Sequence, residues 1–254
     1  MRSKPKESQT IGMGILFIIL IIFLVVISVS FKVFNLIQES KFDGKTNYNL
    51  LYGVGNKWEV LSLSPSNQSI EILDMEGNSS QLVTLGIPYD MYLGMSEQVT
   101  PDNIKSQITP LLISLHTNPF DFFKIVTFVN SVNPGSIQEV SINLSDPQNP
   151  KTVSGIFSNT NISNENLNIE VLNATGQSGV GSYFAKMLTN IGGNVILVST
   201  QNNISKSSEI ITLDSNSQTA EKISKILGVK IIKQKPDLSD IKLVIGEDLL
   251  GRIR

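Results

Sequence analysis

Two stretches of this chain combine residue types at spacings that could do chemistry. The first is acidic. Asp74 and Glu76 stand two apart in Asp74-Met-Glu76, and Asp90 follows in Pro88-Tyr89-Asp90. Grouped carboxylates can shuttle a proton or hold a magnesium ion, so Asp74, Glu76 and Asp90 are the candidate catalytic residues. No known reaction pattern surrounds them, and acids solvated at strand ends are the plainer reading. The chain has no cysteine and a single histidine, His116. That excludes a thiolate nucleophile, a zinc–thiolate site and a multi-histidine metal centre, and no metal is expected. His116 itself reads as a surface or helix-end residue.

The second stretch is the loop Gly176-Gln-Ser-Gly179-Val-Gly181, which follows a predicted strand and opens a predicted helix. The amides at a helix start can cradle an anion, which makes Gly176, Ser178, Gly179 and Gly181 the candidate ligand-binding residues. The spacing is G-x-x-G-x-G, not the dinucleotide G-x-G-x-x-G. The next strand ends in Ser199-Thr200-Gln201, with no acid for a ribose. No cofactor is expected, and a tight turn with glycines for close packing is the plainer reading. Charge narrows the field further. The 254 residues hold 20 Lys and Arg against 22 Asp and Glu, so there is no general basic excess for nucleic acid. Between Arg2 and Arg252 there is no arginine at all. The guanidinium fork is the usual grip on pyrophosphate, and a pyrophosphate-handling site without one would be unusual.

These residues hang from residues 11–31, which carry no charge and are continuously apolar over residues 15–27. At 1.5 Å per residue, about 20 such residues cross the roughly 30 Å hydrocarbon layer. The lipid bilayer is therefore the expected partner of residues 11–31. Arg2, Lys4 and Lys6 make the amino-terminal tail, residues 1–10, the more basic flank, so it is expected in the cytosol. The rest is expected outside, in a single-pass protein of the cell membrane. Ser28-Val29-Ser30 loosely fits a cleavage site, but the apolar run exceeds the roughly 7–15 residues of a signal-peptide core. A retained anchor is expected.

Residues 32–46 read as a juxtamembrane connector, and residues 47–145 as an exported α/β domain. Strands are predicted over 48–54, 58–63 and 69–73, with a hairpin turn at Pro65-Ser-Asn-Gln68, then over 81–85. Apolar spacing predicts helices over 101–115, with Pro110 inside, and over 119–132. In the second, Phe120, Phe122 and Phe123 read as core. A closing strand covers 137–144. Residues 146–166, rich in Ser, Asn and Pro, read as a linker. Residues 167–250 form a second domain. Its strand at 167–172 leads through an N-cap at Ser178 to a helix over 179–191, stopped by Gly192-Gly193. A strand at 195–199 completes a right-handed βαβ unit. A strand at 209–213, a Ser217-capped helix to Leu227, and strands at 229–233 and 241–245 follow. Lys230, Lys233 and Lys235 mark a solvated edge strand. The fold class is α/β (α+β): one transmembrane helix, then two small domains, the second a βαββαββ sheet with two helices on one face.

The segments IEVLNATGQSGVGSYFAKML (residues 169–188) and PDLSDIKLVIGEDL (residues 236–249) resemble the carboxyl-terminal domain of LytR-type proteins, LytR_C. The family's V-L-N strand end falls on Val171-Leu172-Asn173, its glycine turn on Gly176 and Gly179, and its closing acidic motif between Asp240 and Asp248. The resemblance carries no catalytic residue. LytR proteins usually also hold a LytR-CpsA-Psr domain, which moves glycopolymers from a lipid pyrophosphate carrier to the bacterial wall. VLSLSPSNQSIEIL (residues 60–73) faintly resembles the early part of that domain. Its proline-arginine-aspartate motif would fall on Asp74-Met75-Glu76 or Pro88-Tyr89-Asp90, both without the arginine, and the region is much shorter than the enzyme. The resemblance thus implies a reduced, inactive relative: a single-pass cell-envelope protein with a non-catalytic binding domain, its further partner peptidoglycan or another envelope protein, with no nucleic acid. The alternatives are a divergent phosphotransferase using Asp74, Glu76 or Asp90 with a metal, and a structural subunit of a membrane assembly.

Overall fold

Apolar side chains on both faces of residues 48–75 require cover on both sides of a sheet, and the computed structural model supplies it. The structure describes residues 7–76, 84–143 and 149–252. The chain begins with α1 (Glu7–Gln38), whose apolar part, Gly14–Gln38, is long enough to cross a membrane and has no buried stripe. Helix α1 groups with Asn118–Phe120 as one unit, in which the Asn118 side-chain amide donates to the Leu36 carbonyl at 2.9 Å. The other unit comprises Lys41–Thr117 with Asp121–Arg254 and contains two five-stranded sheets.

The first sheet holds β1 (Tyr48–Val54), β2 (Lys57–Ser64), β3 (Ser69–Glu76), β4 (Met91–Leu93) and β5 (Ile137–Asn143), in the order β4-β1-β2-β3-β5. Strands β1 to β3 form an antiparallel meander, while β4 runs parallel to β1 and β5 parallel to β3. Tyr48, Leu50, Tyr52, Leu61, Leu63, Ile70 and Ile72 face α2 (Ile104–Ser114) and α3 (Pro119–Ser131). Leu51, Val60, Leu73, Met75 and Ile142 face α4 (Asn149–Phe157) through Val153, Ile156 and Phe157. Helix α2 runs through Pro110, at the cost of the backbone bond to Ser106. His116 is exposed just past the end of α2, with a φ of 50°.

Several expectations need correction. Of the strand expected at 81–85, Gln81 to Val83 lie outside the described residues, and Thr84 and Leu85 form a helical turn. Leu144, the expected end of β5, also lies outside them. Residues 146–166 do not behave as a linker. They carry α4 and then α5 (Thr160–Glu165), where the Asn159 side chain caps the amides of Asn161 and Ile162. Val153, Ile156 and Phe157 recur at helical spacing and close the first core, and Ile162 enters the second. The polar composition hid an amphipathic helix. Glu165 then accepts the amides of Gln218 and Thr219 and the Thr219 hydroxyl.

The second sheet has the expected order. It contains β6 (Asn168–Asn173), β7 (Asn194–Thr200), β8 (Glu209–Thr212), β9 (Lys230–Lys233) and β10 (Ile241–Ile245), arranged β7-β6-β10-β8-β9. Helices α6 (Val180–Asn190) and α7 (Gln218–Leu227) cover one face through Phe184, Leu188, Ile223 and Ile226, against Ile169, Val171, Ile210 and Leu243. Ser217 caps α7 by accepting the Ala220 amide, and Gly228 ends it in the left-handed region. Strand β9 lies at the sheet edge, with Lys230 and Lys233 exposed. The N-cap of α6 is Gly179, at φ 84°, not Ser178.

Candidate functional site

The structure separates the candidate acids. Asp74 shares a cross-sheet row with Tyr52, Glu59 and Ser141, whereas Asp90 binds at Asn49, near the start of β1. Glu76 ends β3 opposite Asn143.

Around Asp74 the sheet turns an unusual set of groups inward. Glu59 has the phase of Leu61 and Leu63 and is buried, its carboxylate accepting the Val99 amide at 3.4 Å. Asp74 is buried too, with one oxygen 3.3 Å from Lys57 Nζ and the other, Oδ1, without a hydrogen bond. The Tyr52 hydroxyl is likewise enclosed and outside hydrogen-bonding distance of a partner. Burial pushes the Glu59 carboxyl above its ordinary range. Tyr52 and the Val99 amide oppose that shift, while Asp74 and Glu139 add to it. Burial, with the charge of Glu59, also raises the Tyr52 phenol far above its usual value. The reading of Asp74 as a solvated strand-end acid is therefore overturned. Glu59 was missed, although its signal was present: a charged residue in the inward phase of an alternating strand.

Asp90 is enclosed more completely. Its side chain has 0% exposure, and that of Lys222, on α7, has 2%. Lys222 Nζ lies 2.9 Å from Oδ1 and 3.2 Å from Oδ2, and donates to the Asn47 carbonyl at 2.5 Å. Asp90 Oδ2 also accepts the Asn49 amide at 2.9 Å, and the Asp90 carbonyl accepts from Lys41 Nζ at 3.0 Å. Burial lowers the Lys41 pKa, with Asp90 opposing. Beside this pair the Arg252 guanidinium lies 4.4 Å from the centre of the Tyr89 ring and donates to the carbonyls of Tyr89 and Ile226. Asp90 is thus no solvated acid either. It neutralises a cation from the second sheet's helix and faces protein on every side. Lys222 carried a signal, since it falls in phase with Thr219 and Ile226 on the buried side of α7.

The glycine loop brings Gly176, Ser178, Gly179 and Gly181 to one open cleft of about 530 Å³, floored by Asn173, Val198 and Thr200. The loop is braced from within. Asn173 accepts the Thr175 amide and hydroxyl and donates to the Gln177 carbonyl, and Thr175 accepts the Gln177 amide. A Cβ at Gly181 would lie 3.1 Å from Val198 and 3.3 Å from Asn173, so this glycine lets α6 pack closely on β6 and β7. The closing acidic motif is also structural. Asp240 accepts the Asn168 amide, and Asp248 accepts both the amide and the hydroxyl of Ser208. A Cβ at Gly246 would meet the Ser207 backbone at 2.6 Å. Among the described residues no group of three or more His, Cys, Asp or Glu is placed to hold a metal ion.

The fold thus defines a mixed α/β protein whose carboxyl-terminal third is a βαββαββ sheet with its helices on one face. Residues 166–249 match the LytR_C family model, described as LytR cell envelope-related transcriptional attenuator. This third of the chain is a LytR_C domain, and it associates the protein with the cell envelope. No curated protein and no solved structure matches the chain.

Proposed function

We infer that the protein is a single-pass anchor of the cell membrane, with its amino terminus in the cytosol and its LytR_C domain outside, and that it binds wall polymer or an envelope protein without catalysis of its own. The observation that carries this reading is the presence on one chain of a LytR_C domain and an apolar helix, Gly14–Gln38, with no buried stripe. Two features support the non-catalytic half. The Asp90 carboxylate is shut away against Lys222. Arg252 spends its guanidinium donors on backbone carbonyls, not on a surface that faces phosphate. The test is retention of the full-length protein, in detergent, on purified peptidoglycan. Retention that is lost after removal of wall glycopolymers, with no turnover of a prenyl-linked pyrophosphate glycan in magnesium or manganese, is the expected result. Turnover would overturn the non-catalytic reading, and failure to bind any wall fraction would overturn polymer binding.

A further inference from the structure

Phe120, Phe122 and Phe123 all read as core in the sequence, but the structure divides them. Phe122 packs against the first core. Phe123 is 70% exposed and Phe120 38%. Three residues apart on α3, these two share one helix face. Ile113, which leads into the turn between α2 and α3, is 63% exposed. Exposed large apolar groups gathered at one place mark an interaction surface.

The position of this helix start names the partner. Asn118–Phe120 group with α1, and Asn118 bonds to the Leu36 carbonyl. The uncharged run ends at Phe31, and Lys32 follows. Leu36 lies five residues further along a continuous helix, so about 7.5 Å beyond the end of that run. The polar layer on each side of a bilayer is roughly 5–8 Å deep. With α1 across the membrane, Asn118 and Phe120 fall among the lipid headgroups, and α3 departs from that level. Val33, Phe34 and Ile37 remain exposed and apolar over the same stretch of α1, as suits the boundary between acyl chains and headgroups.

We propose that the amino-terminal turn of α3 lies in the headgroup layer of the membrane that α1 crosses, with Phe120 and Phe123 dipping toward the acyl chains. The outer body is then seated on the bilayer at this edge and does not swing on a free tether. Asp121 helps to fix that seat, because its carboxylate accepts the amides of Lys41 and Phe42, the first residues of the outer body.

The proposal rests on α1 being a membrane anchor, and the experiment separates the two. The chain has one tryptophan, Trp58. In a Trp58→Phe background, Phe123→Trp reports the proposed seat and Phe23→Trp reports the anchor. Full-length protein is reconstituted into phosphatidylcholine–phosphatidylglycerol vesicles with ordinary or brominated acyl chains. If Trp58→Phe unfolds the protein by circular dichroism, both probes are read with Trp58 retained, as quenching in excess of the parent. Both probes are expected to lose most of their emission in brominated vesicles, while native Trp58 keeps its own. Quenching at position 23 without quenching at 123 overturns the proposal and leaves the anchor standing. Quenching at neither overturns both. Blue-shifted but unquenched emission at position 123 assigns the face to protein contact, such as a second copy, and also overturns the proposal.

Discussion

Replacing Lys222 with methionine removes the cation but keeps most of the side-chain volume. Asp90 would retain the Asn49 amide at 2.9 Å and lose both contacts to Nζ, and the Asn47 carbonyl would lose its donor. Breaking a buried pair from one side costs about 3–5 kcal/mol. The surviving amide bond argues for the lower end. At roughly 2–4 °C per kcal/mol for a body of this size, the Tm should fall by about 6–12 °C. Lys225, three residues along the same helix, is the control. Its Nζ lies 3.5 Å from Asp43, with side chains 28% and 25% exposed, so Lys225→Met should cost under about 1 kcal/mol. Adding Asp90→Asn to Lys222→Met removes the stranded charge and keeps an acceptor for Asn49, so much of the loss should return. The assay is thermal unfolding of the full chain in detergent, followed by circular dichroism. A Lys222→Met loss no larger than that of Lys225→Met, or a double variant no better than the single, would refute the reasoning.

Other outcomes follow from the same geometry. Because burial raises the Glu59 pKa when folded, its stabilising contribution is present below the unfolded value and is lost as pH rises through the folded one. Glu59→Gln should therefore gain on the parent as pH rises from acid to neutral, read from urea midpoints, and parallel pH profiles would sink the assignment. Phe157→Ala should cost about 3–5 kcal/mol, where a flexible linker would show no change in unfolding midpoint. Gly246→Ala forces a Cβ to within 2.6 Å of the Ser207 backbone. It should lower the urea midpoint by an amount worth about 1–3 kcal/mol, against no significant change for Gly251→Ala, where the added Cβ meets nothing.

What was legible in the sequence was punctuated locally. The β6–α6–β7 unit is bounded by Gly192-Gly193, and α7 by Ser217 and Gly228, so each boundary has a nearby chemical cause. Strand β4 spans only Met91–Leu93 and exists through its pairing with β1, which no local pattern encodes. In residues 146–166 a few apolar side chains set the structure, while the many Ser and Asn residues set the composition. The glycine loop was placed correctly before its helix, but the cap fell on Gly179 because a left-handed backbone there starts α6 without a side-chain acceptor. The partners of Asp90 were invisible for a different reason: Lys222 is 132 residues away along the chain. The aromatic run on α3 failed on phase. Neighbouring positions on a helix point about 100° apart, so Phe122 and Phe123 cannot both face the core.

The ion pair and the guanidinium stack bear on what the LytR_C domain is for in this chain. The family match begins at residue 166, which suggests a self-contained module. Yet Lys222 on α7 and Arg252 in the closing 3-10 turn both reach residues of the first region, the adjoining Asp90 and Tyr89. Asn190 on α6 adds bonds to the carbonyls of Leu85 and Gly86. A Cβ at Gly86 would come within 2.7 Å of Lys186, so the two regions meet there without room for a side chain. A charged pair shut away from water tolerates little displacement, because separating it strands both charges. The two sheets should therefore unfold together and not as beads on a string. A wall ligand gripped by the LytR_C surface would then load the first sheet directly. Mechanical or chemical stress at the wall would reach the membrane through a rigid body, not through a slack connector.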